Sequence, residues 1–266
     1  MKIESFQADD LKSLSDIQPP DWTDIIPHYR FYLSSLYCLP YKIKEGELLL
    51  AVGTIVLHED TAWLAHIVVH PLHRKRGIGK LFTAALIDQI DSNHYKTIYL
   101  MATPMGEPVY RQVGFEPETE HLYFNEGRPF TQYTIPVGIM PYNEQYQEPL
   151  LLMDKKVSGE SRAIRLNEHL SDAWVFVSNG EFKGYYMPGL SEGLVVALDE
   201  IAGLQLMQFR LLNHALAILP VDNTAAARFL DQQGYKVFRK ARRMRLGEYR
   251  TWHPAYIYNR VSGQIG

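Results

Sequence analysis

Ile67-Val-Val-His-Pro71-Leu-His-Arg74-Lys-Arg-Gly77-Ile-Gly79-Lys80 is the stretch on which the reading of the fold turns. An apolar run ends at a proline, and a basic loop with two glycines follows. Ile78, Leu81, Phe82, Ala85, Leu86 and Ile90 then recur at steps of three and four. This predicts a buried strand from Ala62 to His70, a turn, and an amphipathic helix that begins at the glycines. A helix N-terminus carries unpaired N–H groups and the positive end of the dipole, so it favours anions. Gly77 and Gly79 let a phosphate approach the backbone with no Cβ in the way. His73, Arg74, Lys75, Arg76 and Lys80 add positive potential. Physical reasoning alone therefore reaches a phosphate or pyrophosphate site. The nucleoside-triphosphate loop G-x-x-x-x-G-K-[ST] and the dinucleotide fingerprint G-x-G-x-x-G are both absent.

Upstream, Asp9 and Asp10 suit the first turn of a helix carrying Leu11, Leu14 and Ile17, which Pro19-Pro20 ends. A second, aromatic-rich helix is expected from about Trp22 to Tyr37, with Tyr29, Phe31 and Tyr32 as core residues more than ligand contacts. Glu47 to Leu57 reads as a strand with Gly53 as a bulge or turn. Downstream, Thr97 to Met101 is another strand. Pro129, Pro136, Pro141 and Pro149 then punctuate an aperiodic stretch that reads as a linker, part of it an edge strand.

A second unit follows. A helix is expected from Ser161 to Leu170, and a hairpin turns at Asn179-Gly180 between Trp174–Val177 and Phe182–Tyr186. Leu194 to Leu198 and Ala215 to Leu219 read as strands. Ala202 to Leu212 and Thr224 to Gln233 read as helices, the latter closed by Gly234. Tyr110-Arg-Gln-Val-Gly114-Phe115 and Leu230-Asp-Gln-Gln-Gly234-Tyr235 repeat one phrase, each after a strand and a short helix. Together with the similar order of elements, the repeat implies two copies of one fold.

Composition narrows the function. With 266 residues, 46% of them hydrophobic, the chain can bury two cores. A net charge of -3 argues against a general nucleic-acid binder. No apolar run approaches the ~20 residues of a membrane span, and the first residues have no signal-peptide core. A cytoplasmic location is the expectation. Cys38 is the single cysteine, expected to be a buried thiol, so no disulfide or Cys-rich zinc cage can form within the chain. No metal is expected either: on a strand, His66 and His70 would be ~13 Å apart, too far to share a zinc ion. The basic run Lys236, Arg239, Lys240, Arg242, Arg243 and Arg245 reads as a solvated strand and loop.

Arg74-x-x-Gly77-x-Gly79 after a strand that ends in proline, followed about thirty residues later by Tyr110-x-x-x-Gly114-Phe115, is similar to the coenzyme A signature of the GCN5-related N-acetyltransferase (GNAT) superfamily. Ala102-Thr-Pro-Met-Gly106-Glu-Pro-Val-Tyr110 resembles the version of this element in tandem acetyltransferase-like proteins. Asp154…Ser158-Gly159-Glu-Ser-Arg162, Asn223-x-x-Ala226 and Arg243-Met-Arg-Leu-Gly247 resemble the second, divergent domain of those proteins. The fold so implied is α/β, with two tandem acyl-CoA N-acyltransferase domains, each a mixed, mostly antiparallel sheet flanked by helices. The organisation implied is a GNAT domain at 1–127, a linker at 128–148 and a degenerate GNAT-like domain at 149–266.

The same resemblance implies acetyl transfer from acetyl-CoA, used as co-substrate, to a small amine. The backbone of Arg74, Lys75, Arg76, Gly77, Ile78, Gly79 and Lys80 would hold the pyrophosphate. The strand edge at Ile67, Val68 and Val69 would pair with the pantetheine arm, and an N–H there would polarise the thioester carbonyl. Tyr110 stands at the position of the family's general acid. His66 and Glu47 are the two possible bases, and no motif chooses between them. In the second half, Leu198-Asp-Glu-Ile-Ala-Gly203 replaces the phosphate loop and Leu230 replaces the tyrosine. Asp199 and Glu200 would repel a pyrophosphate, so this half is expected to shape the acceptor site or to form a homodimer. A non-catalytic acyl-CoA-binding or sensory module is the alternative reading.

Overall fold

The structure is a computed structural model that describes residues 2–20, 22, 24–127 and 135–265. In chain order its elements are β1 (Ile3–Ser5), α1 (Leu14–Ile17), α2 (Ile26–Ser34), β2 (Cys38–Glu45), β3 (Leu48–Leu57), β4 (Ala62–Val69), α3 (Ile78–Ile87), β5 (Thr97–Ala102), α4 (Glu107–Arg111) and β6 (Glu116–Asn125). There follow β7 (Ile139–Pro141), α5 (Gln147–Ser158), α6 (Ala163–Asn167), β8 (Trp174–Ser178), β9 (Glu181–Met187), β10 (Leu194–Ala197), α7 (Glu200–Leu211), β11 (Ala217–Pro220), α8 (Thr224–Gln232), β12 (Lys236–Gly247) and β13 (Ile257–Asn259). They form two compact units. The first runs to Pro117 and takes in Met244–Glu248 and Gly263–Ile265; the second is Glu118–Arg243 with Tyr249–Ser262.

In the first unit β1, β2, β3, β4 and β5 lie side by side in that order. All neighbours are antiparallel except β4 and β5, which run parallel. The apolar stripe of α3 supplies Ile78, Phe82 and Leu86 to a core with Ile43, Leu50, Ile55, Leu64, Leu100 and Phe115. Burying each such side chain contributes about 2 kcal/mol. Gly53 makes the approach of α3 possible: a Cβ there would lie 3.0 Å from both Phe82 and Leu86 side-chain carbons. The register slips at this glycine, between Val52↔Val68 and Thr54↔Ala65, so the bulge faces it on β4, at His66 and Ile67. Cys38 is buried, as expected.

In the first fifty residues the structure adds one strand and corrects one helix. Cys38-Leu-Pro-Tyr-Lys-Ile-Lys-Glu45 is a strand, although its lysines and Pro40 hid the pattern. Lys42 is buried against Asp10, and Lys44 Nζ lies 3.0 Å from the same carboxylate. Asp9 and Asp10 do stand in a first helical turn, that of Ala8–Ser13, where Asp10 also accepts the Gln7 N–H at 2.7 Å; its burial is tolerable because its charge is paired. The second helix is shorter than expected. It has Pro27 in its first turn and ends where Ser35 becomes extended, which leaves Tyr37 outside.

Residues 128–134 of the expected linker lie outside the described residues. Beyond them β7 is indeed an edge strand, paired antiparallel with β8. The expectation of one helix from Ser161 to Leu170 is corrected: α5 runs from Gln147 to Ser158 and only the short α6 follows. Pro149 misled the reading because it sits in the first turn of α5, where no N–H is required.

In the second unit β13, β10, β9, β8 and β7 form one ordered sheet, and β11 pairs antiparallel with β6. The β8–β9 hairpin turns at Asn179-Gly180 with φ of 53° and 77°, as a type I′ turn requires. Val195, Leu206, Met207, Leu219 and Leu230 are among its core residues. Asp154 and Arg162 form a buried two-point pair, with both nitrogens 2.8 Å from the carboxylate oxygens. The basic run is not simply a solvated strand. Arg243 is buried, its guanidinium 4.0 Å above the Trp252 ring and 3.3 Å from Glu160 Oε1.

The repeated phrase has one geometry in both units. Phe115 N–H donates to Tyr110 O at 3.1 Å, and Tyr235 N–H to Leu230 O at 2.9 Å. The intervening Gly114 and Gly234 have φ of 97° and 83°.

Candidate functional site

The ladder between β4 and β5 is short. Ala62↔Ile98, Trp63↔Tyr99 and Leu64↔Leu100 are paired, and the register stops there. On its other edge β4 stays paired with β3 as far as Val69↔Ala51. Ile67, Val68 and Val69 therefore present their β5-side edge without a strand partner among the described residues. An extended ligand can add to such an edge as a strand does.

The basic loop begins where that edge ends. His70 Nδ1 accepts the Leu72 N–H at 3.3 Å and starts a turn at Pro71. Lys75 and Gly77 both have positive φ, 61° and 79°, and Gly77 is the N-cap of α3. Left-handed residues among right-handed ones turn successive N–H groups toward one concavity, which suits an anion. A Cβ on Gly77 would meet nothing within 4 Å, so this glycine serves the backbone angle and the space beside it is open. Arg74 and Arg76 do not simply project outward. Arg74 Nε donates to Val69 O at 3.1 Å, tying the loop to the open strand, and Arg76 Nη1 lies 2.8 Å from His73 Nδ1. Lys75, Arg76 and Lys80 are exposed, and Arg74 is half-buried.

Tyr110 sits on α4 with its ring over Gly106, where a Cβ would come within 2.8 Å of Cε2. Among the described residues its hydroxyl has no hydrogen-bond partner. Burial pushes the phenol up to about 12, so it holds its proton at any ordinary pH. Glu47 is exposed in the turn between β2 and β3.

His66 lies at the β4 bulge with φ of 45°, a strained angle for a residue with a Cβ. Its ring is the centre of an aromatic cluster: His28, Tyr32 and Trp22 have ring centroids 4.8, 5.7 and 5.9 Å away. Nδ1 is 2.7 Å from Tyr32 Oη and Nε2 is 3.3 Å from Gln264 Nε2. Burial, and then the neighbouring His28, push the imidazole down to about 3. It is a neutral hydrogen-bonding group and a weak base. Sequence reasoning selected His66 but missed Tyr32, His28 and Gln264 around it. Gln264 is 198 positions away and belongs to no motif.

The corresponding place in the second unit is built differently. Only Leu198 and Asp199 separate β10 from α7, and the Asp199 carboxylate accepts the Ala202 N–H at 2.9 Å as the helix cap. The helix N-terminus is thus already served by an anion of the chain itself. β13 pairs with β10 through Val195↔Asn259 and Val196↔Ile257. On its far side the Arg260 N–H donates to Ile218 O on β11, and Ile218 N–H donates to Asn259 Oδ1, both at 2.9 Å. A strand of the chain lies where the first unit leaves an open edge. Leu230, fully buried, replaces the tyrosine.

Residues 44–137 match the family model described as "Acetyltransferase (GNAT) domain". No curated protein matches the chain. Among solved structures, a candidate acetyltransferase from Pyrococcus horikoshii is 19% identical with a TM-score of 0.80, covering 100% of this chain and 95% of that one. A GCN5-related N-acetyltransferase from Sphaerobacter thermophilus is 14% identical with a TM-score of 0.62, over 94% and 96% of the two chains. A tandem GNAT protein from the clavulanic acid biosynthesis pathway is 12% identical with a TM-score of 0.58, over 94% and 99%. At these identities the likeness concerns the fold.

Proposed function

We propose that this chain, an acyltransferase carrying a GNAT acetyltransferase domain, transfers an acetyl group from acetyl-CoA directly to a small amine, and that its first unit alone does so. The open edge of β4, running straight into the anion-suited loop at Lys75–Lys80, carries the reading. A strand edge that leads into the N-terminus of α3 suits a ligand with an extended polar arm and a pyrophosphate. Acetyl-CoA is the co-substrate of this fold and supplies an activated thioester.

In this reading Ile67, Val68 and Val69 pair with the arm, and one of their N–H groups stabilises the charge that develops on the thioester oxygen. Gly77, Ile78, Gly79 and Lys80 hold the pyrophosphate through their backbone, with Lys75 and Lys80 adding charge, while Arg74 and Arg76 hold the loop in shape. The amine nitrogen bonds to the acetyl carbon and the carbon–sulfur bond breaks. Tyr110 gives its proton to the departing sulfur and regains one from the nitrogen, directly or through water. The net products are an N-acetyl amine and free CoA, so atoms and charge balance. His66 lines the acceptor side as a neutral hydrogen-bonding residue.

The second unit takes no acyl-CoA in this reading, because β13 fills its cleft and Asp199 caps its helix. Calorimetric titration of the full chain with acetyl-CoA, together with a CoA-release assay over a panel of amines, tests the whole. One site per chain and amine-dependent release of CoA are expected. Two sites would remove the assignment to the first unit, and no binding would remove the function.

A further inference from the structure

His66 is buried and both of its ring nitrogens are engaged, yet one partner comes from the far end of the described chain. The segment after β13 passes through Asn259 and Arg260 in the second unit, and its residues Gly263–Ile265 belong to the first. Ile265 is buried there, and Gln264 reaches His66.

The chemistry of the contact is directional. An amide nitrogen can only donate, so Gln264 Nε2 requires a lone pair on His66 Nε2. The imidazole is neutral, so its proton is then on Nδ1, where it is donated to Tyr32 Oη. Gln264 thereby fixes the tautomer, and the tautomer ties the bulge of β4 to α2. The bulge immediately precedes Ile67–Val69, and α2 carries Tyr29 and Tyr32 into the same cluster. Tyr29 adds a second tie, its hydroxyl donating to His66 O at 3.4 Å.

We propose that Gln264 is a positioning residue of the acceptor site: through His66 it holds α2 against the β4 bulge, so that the segment following β13 forms part of the acceptor side of the first unit. The acceptor part of this proposal rests on the function proposed above; the tautomer part does not. Replacing Gln264 leaves the loop at Lys75–Lys80 untouched, so acetyl-CoA affinity should not move. What should move is the order of the His66 ring and the amine's KM.

The experiment uses full-length protein labelled with 15N in its histidines, comparing the parent with Gln264→Ala, Gln264→Asn and Gln264→Glu. In the parent, the nitrogen shifts of His66 should report a protonated Nδ1 and an unprotonated Nε2. Gln264→Ala should mix the tautomers. Gln264→Glu, whose carboxylate accepts, should favour the proton on Nε2, and Gln264→Asn should restore the parent pattern at least in part. With the best amine of the panel, Gln264→Ala should raise KM about tenfold, change kcat less, and leave acetyl-CoA binding within twofold. An unchanged His66 spectrum in Gln264→Ala and Gln264→Glu overturns the positioning role, whatever the activity. Altered tautomers with an unchanged amine KM overturn the link to the acceptor site. A parent that binds no acetyl-CoA fails the function above and takes the acceptor part with it, while the nitrogen spectra still judge the positioning role.

Discussion

Between β4 and β5 the ladder stops after Leu64↔Leu100, whereas β10 on the same side receives β13 and β13 is bonded on to β11. Around these two places the units are alike, down to the bond from the residue after the glycine back to Tyr110 or Leu230. The comparison teaches that this fold tolerates a gap in its sheet only where something else can bond the exposed edge. In the second unit that is the chain; in the first, under the proposed function, it is acetyl-CoA.

The sharpest way to break the comparison is at the paired positions Tyr110 and Leu230. Tyr110→Phe should lower the rate of CoA release by 10²–10⁴-fold while acetyl-CoA binding stays within roughly twofold; equal losses in both would make Tyr110 a binding residue instead. Next is the strand that fills the second cleft. Asn259→Leu removes the acceptor of the Ile218 N–H and the donor to Glu192 O and Gly193 O. Glu192 O and Gly193 O keep Arg210 as a donor, so the Ile218 N–H is the group left unpaired, at a cost of about 1–3 kcal/mol, which urea unfolding and faster exchange of the Ile218 amide would register. An unaltered exchange rate would mean that β13 is not what holds the edge.

In the first cleft, Gly77→Val forces a branched side chain to φ of 79°. The strain of 1–2 kcal/mol should cost about tenfold in acetyl-CoA affinity by calorimetry, because the open space around the residue rules out a clash. If affinity holds, the loop does not depend on the left-handed turn. Asp199→Ala removes the cap of α7 and should cost about 1 kcal/mol of stability. The count of acetyl-CoA sites should stay at one, since β13 still fills the cleft; a second site would show that charge alone had closed it.

A further effect concerns pH. The His66 ring is pushed down to about 3 by burial and then by His28, while in the unfolded chain it titrates near 6.5. The unfolded chain therefore takes up the proton first. Stability present above about pH 6.5 is lost as pH falls, by about 2 kcal/mol at pH 5. His121 in the second unit is also held well below its ordinary value, by burial and then by Arg260 and Arg243, and acts in the same direction. Neither ring should titrate between pH 8 and 5 in a proton NMR series. A His66 midpoint between 6 and 7 would show that its cluster is open to water.

What was legible in the sequence follows from where the signal lies. The strand–loop–helix order around Gly77, the apolar stripe of α3 and the turn at Gly114 are written in consecutive residues, and each is found with the geometry its spacing implied. The hairpin at Asn179-Gly180 was readable for the same reason. The burial of Asp10 with Lys42 was not legible, because a buried ion pair looks like surface charge until the partner is known. Pro149 looked like a breaker, although a proline in a first turn costs nothing. β13 and Gln264 were not legible at all. Their meaning lies in pairings with residues far along the chain, and neither the short apolar run nor the lone glutamine carries a period or a motif.

β13 and the residues that follow it have a consequence for how the protein is made. The first unit needs Met244–Glu248 and Gly263–Ile265, and the second needs Ile257–Ser262 to fill its sheet. A chain emerging from the ribosome folds in order when each domain is contiguous. Here the first unit is whole only once residue 265 has emerged and the second only once residue 262 has, so each waits with its apolar face incomplete and the two close after nearly the same length of chain. A chain cut into two halves between the units would leave the first without residues 244–248 and 263–265.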